Sequence, residues 1–214
     1  MPDERLEMRP VRTADADSLF AAIAGTSVTD TIAWDGPNSL NEYRAVLARR
    51  EREVRAGVGH TFTAVERSTG RPVGTAMLRH TADPDCADLG LWIDPWVQGR
   101  GYGTEAVRWL VRYGFNRLGL FRIEARIFVD DAVSRRVFEK SGFAFDQTLR
   151  GSVTKRGRAQ DEWLFALERP PALFLTPPLR LPPAWATMAM TTERHWDALG
   201  RSRVTPRRPR REPN

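Results

Sequence analysis

Between Val97 and Val111 the chain reads VQGRGYGTEAVRWLV, with glycine at 99, 101 and 103. An apolar series follows, Ala106, Val107, Leu110 and Val111, spaced like one face of a helix. A helix start leaves its first backbone N–H groups without partners and carries about half a unit of positive charge. Glycines just before it let an anion approach those groups with no Cβ in the way. The segment Gln98, Gly99, Arg100, Gly101, Tyr102, Gly103 and Thr104 therefore reads as an anion cradle suited to phosphate. Two other nucleotide loops are excluded by the letters. A Walker loop ends in Gly-Lys-Ser/Thr, whereas Gly103 is followed by Thr104 and Glu105; a dinucleotide fingerprint needs G-x-G-x-x-G, and the spacing here is G-x-G-x-G. A tight strand-to-helix turn alone accounts for one of these glycines, or two, and leaves the third without a reason.

A cradle of this kind needs a strand before it and a helix with a further strand after it. ADLGLWIDP is a β-rich run ended by Pro95, and beyond the helix FRIEARIFV alternates as a strand does. Upstream, TADADSLFAAIAG predicts a helix, with a cap signal at Thr13 and Gly25 as its stop. SLNEYRAVLARREREVRAG predicts a second, from Ser39 as cap to Gly57. HTFTAVERSTGRPVGTAMLRH gives two β runs joined at STGRP as a hairpin. DAVSRRVFEKSGF reads as a short helix capped by Asp130 or Asp131 and stopped by Gly142. FAFDQTLRGSV and DEWLFALER are two last β runs around the turn TKRGRAQ. The fold class is α/β in the α+β sense, a mixed and mostly antiparallel sheet with a strand, glycine loop, helix, strand unit at its centre.

Composition bounds the rest. The 214 residues, 41% hydrophobic, suit one globular domain with something left over. From Pro170 onward stand eight of the arginines and nine of the fifteen prolines, against three acids. Residues 1–169 are taken as the domain and 170–214 as a Pro/Arg-rich, largely irregular extension. The body is nearly neutral, so any weak nucleic-acid or ribosome contact belongs to the extension, through Arg201–Arg211. No apolar run approaches the roughly 20 residues of a membrane span, and MPDERLEMRP lacks the apolar stretch of a signal peptide, so a cytoplasmic protein with no membrane partner is expected. Cys86 has no cysteine to pair with, and nearby Asp83, Asp85 and Asp88 disfavour its thiolate. His60, His80 and His195 show no metal-ligand spacing, and no metal is expected.

QGRGYG, from Gln98 to Gly103, matches the Gln/Arg-x-x-Gly-x-Gly/Ala acyl-CoA signature of the GNAT N-acetyltransferase superfamily. LEMRPVRTADADSL, IAWDGP, ADLGLWIDPWVQGRGYGTEAV, LGLFRIEARIFVDDAVSRRVFEKSGF and DEWLFALE follow its order, and the chain resembles the branch of ribosomal-protein alanine N-acetyltransferases. The resemblance spans residues 6–169 and has no counterpart for the tail. It implies the GNAT acyl-CoA N-acyltransferase fold with helices on both faces of the sheet. It implies acetyl-CoA as cosubstrate, no metal, and direct attack by a primary amine of a protein N-terminus or small molecule. The CoA pyrophosphate would lie on the N–H groups of the glycine loop. The strand DLGLWI would splay from FRIEARIF, and the pantetheine arm would insert between them against backbone from Trp92 to Val97. The acetyl carbonyl would accept an N–H near Ile93, as in an oxyanion hole.

The same resemblance sets the catalytic expectations. Many GNAT enzymes carry a tyrosine four residues before the glycine of GF as the thiol's proton donor; Phe138 stands there and cannot donate. Ser134 matches the serine of the branch's N-x-x-S, which contacts the CoA sulfur, or is an exposed first-turn hydroxyl. The asparagine of that motif is replaced by Asp131, a cofactor contact or a plain helix cap. Asp88 and Glu124 are the candidates for general base, or are solvated strand residues. Asp161 is read as structural. The acceptor pocket falls to the first two helices, TSVTDTIAWDGPNS and TKRGRAQ, with Trp34 as an aromatic wall or a core residue and Asp35 as a carboxylate for a cationic amine. Two other readings stand beside the enzyme: a CoA-binding module without turnover, and a ribosome- or nucleic-acid-associated protein acting through its tail. A monomer and a homodimer are both consistent with the sequence.

Overall fold

The computed structural model describes residues 4–170; the expectations for the extension, Arg201–Arg211 among them, lie outside the described residues. Seven strands and four α-helices follow in the order β1 (Leu6–Pro10), α1 (Ala16–Ile23), α2 (Leu40–Arg55), β2 (His60–Glu66), β3 (Arg71–His80), β4 (Cys86–Ile93), α3 (Tyr102–Tyr113), β5 (Arg122–Phe128), α4 (Ala132–Lys140), β6 (Ala144–Lys155) and β7 (Arg158–Glu168). The strands make one sheet in the order β1-β2-β3-β4-β5-β7-β6. Every neighbouring pair is antiparallel except β4 and β5, which run parallel as a strand-helix-strand crossover requires.

The faces are sorted by side-chain period. Along β4, Ala87 and Leu89 point into a core with Val107 and Leu110 of α3 and Phe138 of α4. Trp92 points the other way, into a second core with Leu19 of α1 and Tyr43 and Leu47 of α2. Helices thus cover both faces, and β2, buried from His60 to Glu66, lies between them. Burying leucines such as Leu19, Leu47 and Leu110 stabilises by about 1.5–3 kcal/mol each. Ser39 caps α2 by accepting from the Glu42 N–H at 3.2 Å, and Asp131 caps α4 by accepting from the Ser134 N–H at 2.9 Å.

Three expectations are corrected, and one strand has no counterpart among them. β1 was not foreseen, because LEMRP is short and mostly polar and earns its place by pairing with β2. Thr13 is not a cap: its N–H donates to Glu51, and α1 is preceded by a 3-10 turn in which Asp15 accepts from the Arg12 N–H. The segment TKRGRAQ is not a loop, since β6 and β7 run on to a two-residue turn at Arg156 and Gly157, both with positive φ. Gly103 lies inside α3, not in the loop before it.

Candidate active site

β4 and β5 pair only at Cys86 with Arg122, Ala87 with Ile123 and Asp88 with Glu124. Beyond that point each is held by its outer neighbour, β4 by β3 as far as Ile93 and β5 by β7 as far as Phe128, and a wedge opens between them. The Asp94 N–H donates to the Val73 carbonyl at 2.8 Å, which sets the alternation along β4. Even-numbered peptide groups face β3, so the N–H groups of Leu91 and Ile93 face the wedge, where no strand answers them. Ile93 is 7% exposed, and a buried N–H without a partner is costly, so an acceptor placed in the wedge would satisfy groups that no strand among the described residues pairs. The Ile93 carbonyl is taken by the Gln98 side-chain amide at 2.9 Å.

At the open end of β4 the chain enters the glycine loop. Asp94 is fully buried, accepts from the Trp96 N–H at 3.0 Å and is ion-paired with Arg71 at 2.9 Å, which fixes the exit from the strand. Gly99 and Gly101 have φ of 76° and 84°, a region costly for other residues. Gly101 is the N-cap of α3 and no side chain caps that helix. The first N–H groups of α3, at Tyr102, Gly103 and Thr104, therefore have no side-chain cap among the described residues, with the helix dipole behind them. The loop is staked from below: the Tyr102 hydroxyl donates to Glu66 at 2.6 Å, Thr69 donates to the same carboxylate at 2.7 Å, and Arg100 lies 3.8 Å from it. The Tyr102 hydrogen bond holds the Glu66 carboxyl below the usual range and raises the Tyr102 hydroxyl above its own.

Two residues of the expected cofactor set lie outside the wedge. The Trp92 ring is buried among α1 and α2 and its peptide faces β3, so neither part reaches the opening. Val97 packs with Tyr102 and Ala106, and its N–H is given to the Asp94 carbonyl at 3.0 Å.

On the far side of the wedge α4 begins. Asp131 Oδ1 caps the helix, while Oδ2 is buried without a hydrogen-bond partner among the described residues. Ser134 is half-buried in the first turn. Phe138 is 3% exposed and packs edge-on against Phe143 at 5.2 Å, facing the core.

The two expected bases stand on the α1/α2 face, but in ion pairs. Asp88 lies 2.9 Å from Arg79 and 3.7 Å from Arg126. Glu124 lies 2.8 Å from Arg122, whose own pKa is raised by Glu124 and Asp146. Each acid thus already has a guanidinium beside it. A third acid, passed over in the sequence, is Glu162 on β7. It is 6% exposed, pairs in register with Phe128 at the open end of β5, and accepts from the Ser152 hydroxyl at 2.7 Å. No basic side chain among the described residues lies within ion-pair distance of it. The irregular register of β6 between Leu149 and Val153 brings Ser152 to it, and Asp161 holds that stretch by accepting from the Gly151 N–H at 2.7 Å.

Trp34 and Asp35 are brought to the same face by the turn of β6 and β7. Lys155, with its side chain 8% exposed, donates to the Trp34 carbonyl at 2.8 Å and pairs with Asp35 at 2.8 Å. Arg156 pairs with Asp30 at 2.8 Å. Trp34 also stacks on Tyr43, centroids 6.0 Å apart. Asp35 is thus already neutralised by a lysine, a partner that no sequence spacing announces.

Residues 5–144 match the family model of the acetyltransferase (GNAT) domain. The chain is 35% identical over 176 residues to the probable N-acetyltransferase YjcK of Bacillus subtilis, an overlap of 76% of this chain and 93% of that one. Among solved structures it is similar to a GNAT-family acetyltransferase from Bacillus anthracis, with TM-score 0.70 and 21% identity over 77% of this chain and 95% of that one. It is also similar to RimL, a ribosomal L7/L12 alpha-N-protein acetyltransferase in complex with coenzyme A, with TM-score 0.69 and 17% identity over 78% of this chain and 95% of that one. At such identities the structural likeness speaks for the fold, and the family match speaks for the chemistry: the chain belongs to the GNAT acetyltransferases and is an N-acetyltransferase.

Proposed function

We propose that this enzyme takes its acetyl group from acetyl-CoA and passes it by direct attack to a primary amine, of a protein N-terminus or a small molecule. The observation that carries the reading is a coincidence of unpaired backbone: an α3 start with no side-chain cap stands at the mouth of a wedge whose β4 edge, at Leu91 and Ile93, has no partner strand. A pyrophosphate suits the first and an amide-bearing arm suits the second. When bound, acetyl-CoA supplies an activated thioester carbonyl; the rest falls to the chain.

The N–H groups from Gly99 to Thr104 hold phosphate, and the Ile93 N–H polarises the acetyl carbonyl. The Gln98 amide on the Ile93 carbonyl holds the next peptide along and so fixes the end of β4 beside that N–H. Asp131 Oδ2 accepts an N–H of the pantetheine arm, which gives the buried oxygen its missing partner. Ser134 donates a proton toward the departing sulfur, the role Phe138 cannot fill. Glu162, without a cationic partner among the described residues, takes the proton of the incoming amine in place of Asp88 or Glu124. Trp34 and the Asp35–Lys155 pair line the acceptor side.

The test has two stages. Calorimetry first measures CoA binding. Thiol release from acetyl-CoA is then followed over N-terminal peptides, polyamines and aminoglycosides; peptides come first, because RimL is an alpha-N-protein acetyltransferase. Binding with turnover on one class of amine supports the proposal. Binding with no turnover on any of them returns the chain to a CoA-binding module, and no binding removes the cosubstrate.

A further inference from the structure

The residues just before β1 touch the glycine loop, although almost a hundred positions separate them in sequence. The Arg5 guanidinium lies over the Tyr102 ring, 5.3 Å from its centroid. Its Nη2 is 3.0 Å from the place a Cβ on Gly101 would occupy, so this arginine roofs the glycine at the mouth of the cradle. Its Nε is 3.6 Å from Glu105, in the first turn of α3. The other oxygen of that carboxylate accepts the Leu6 N–H at 2.7 Å. Glu105 would otherwise set a negative charge beside an incoming phosphate; here one N–H and one guanidinium engage it. Arg5 remains 51% exposed, with nitrogens left for a further anion. Arg100 lies 3.8 Å from Glu66, which also accepts the Tyr102 hydroxyl, so a second guanidinium stands near the loop.

We propose that Arg5 is a phosphate-binding residue of the cosubstrate site, held over Gly101 by Glu105 and Tyr102, and that it contacts a phosphate oxygen of CoA. The proposal rests on the acetyl-CoA reading and adds to it a ligand from outside the glycine loop. A planar guanidinium gives a phosphate charge and directed hydrogen bonds that backbone N–H groups alone do not. The phosphate is one of the pyrophosphate or the 3′-phosphate, and both present the same chemistry to Arg5.

The experiment measures binding of CoA, 3′-dephospho-CoA and pantetheine by calorimetry to the full chain and to Arg5→Met, Arg5→Gln and Arg112→Gln. Methionine keeps an apolar stem over Tyr102 and removes the guanidinium, its charge and its N–H donors together. Arg5→Met should weaken CoA binding about tenfold at low salt, less as salt screens the pair, and leave pantetheine binding unchanged. An equal loss with dephospho-CoA assigns the contact to the pyrophosphate; a loss confined to CoA assigns it to the 3′-phosphate. Arg112→Gln removes the same charge from the far end of α3 and should change CoA affinity less than twofold. Arg5→Gln serves if the methionine variant does not fold, with pantetheine binding as the check that the wedge is intact. CoA affinity within twofold of the unsubstituted chain, in a variant that still binds pantetheine, overturns the proposal. Equal weakening by Arg112→Gln overturns it too, because the effect would then be one of net charge. If the unsubstituted chain binds no CoA, the cosubstrate reading fails, and this one with it.

Discussion

Three glycines in one loop look alike in sequence and differ in structure, which allows each to be tested against the others. Gly103 is the second residue of α3, with no positive φ. A Cβ there would meet Val137 at 3.6 and 3.7 Å, ordinary contact distances. Gly103→Ala removes a glycine from a helix and should stabilise the protein by about 0.5–1 kcal/mol. Gly99 and Gly101 both have left-handed φ, 76° and 84°. Alanine at either should cost about 1–2 kcal/mol of strain. They part in what the methyl meets: nothing within 4 Å at Gly99, and the Arg5 guanidinium at 3.0 Å at Gly101.

For a domain of this size about 1 kcal/mol moves Tm by roughly 2–4 °C. Gly103→Ala should therefore raise Tm by roughly 1–4 °C, and Gly99→Ala and Gly101→Ala should each lower it by roughly 2–8 °C. CoA affinity should follow a different order. Gly103→Ala should bind within about threefold of the unsubstituted chain, Gly99→Ala somewhat more weakly, and Gly101→Ala at least about tenfold more weakly, since its methyl enters the space above the cradle. Differential scanning fluorimetry and calorimetry on the same preparations give both series. Equal CoA losses for Gly99→Ala and Gly101→Ala would show that strain, not occupation of the cradle, governs binding. A fall in Tm for Gly103→Ala would contradict its place in the helix.

Further outcomes follow from the same geometry. Ser134→Ala should lower kcat at least about tenfold with CoA binding unchanged, because a proton donor to the leaving sulfur acts only as charge develops there; an unchanged kcat assigns the hydroxyl to α4 alone. Phe138→Tyr should cost about 1–3 kcal/mol by urea unfolding and should not rescue Ser134→Ala, since the added hydroxyl enters a core position 3% exposed; rescue would mean that this ring reaches the wedge. Glu162→Gln should lower kcat at pH 7 and lose less at pH 9, where more of the amine is already deprotonated, whereas Asp88→Asn should chiefly lower stability; the reverse pattern would return the base to Asp88. His60 has its pKa lowered from 6.5 to about 4, first by burial and then by the charge of His80. The folded state thus binds fewer protons than the unfolded between those values, so stability falls as pH drops below about 6.5, by about 2 kcal/mol between pH 7 and pH 5. His60→Phe should remove that part of the acid loss, and an unaltered acid profile would refute the assignment.

What the sequence disclosed and what it withheld divide along a physical line. The cradle was legible because a helix start, its period and the glycines before it are local, and backbone chemistry needs no distant partner to be recognised. The caps at Ser39 and Asp131 and the stops at Gly25, Gly57 and Gly142 were legible for the same reason. The splay of β4 from β5 came only through resemblance, since nothing in DLGLWI or FRIEARIF says where two parallel strands stop pairing. Charge was the least legible. Asp88 and Glu124 have the residue type, the strand and the face a base needs, and Arg79, Arg126 and Arg122 stand beside them as partners that no local pattern announces. Asp35 looked like a free carboxylate until Lys155 reached it from the last hairpin. Arg5 and Glu162 were passed over because neither sits in a motif; one is placed by β1, which the periodicity missed, and the other by the uneven register of β6. A titratable group's role is set by its cross-strand partner, and that partner is fixed by register, so a one-residue slip of β5 against β7 would turn Arg122, Glu124 and Arg126 to the opposite face and free Asp88 from Arg126. The register that closes one end of the wedge at Asp88 and Glu124 also sets both acids beside arginines, while Glu162 stands at the open end.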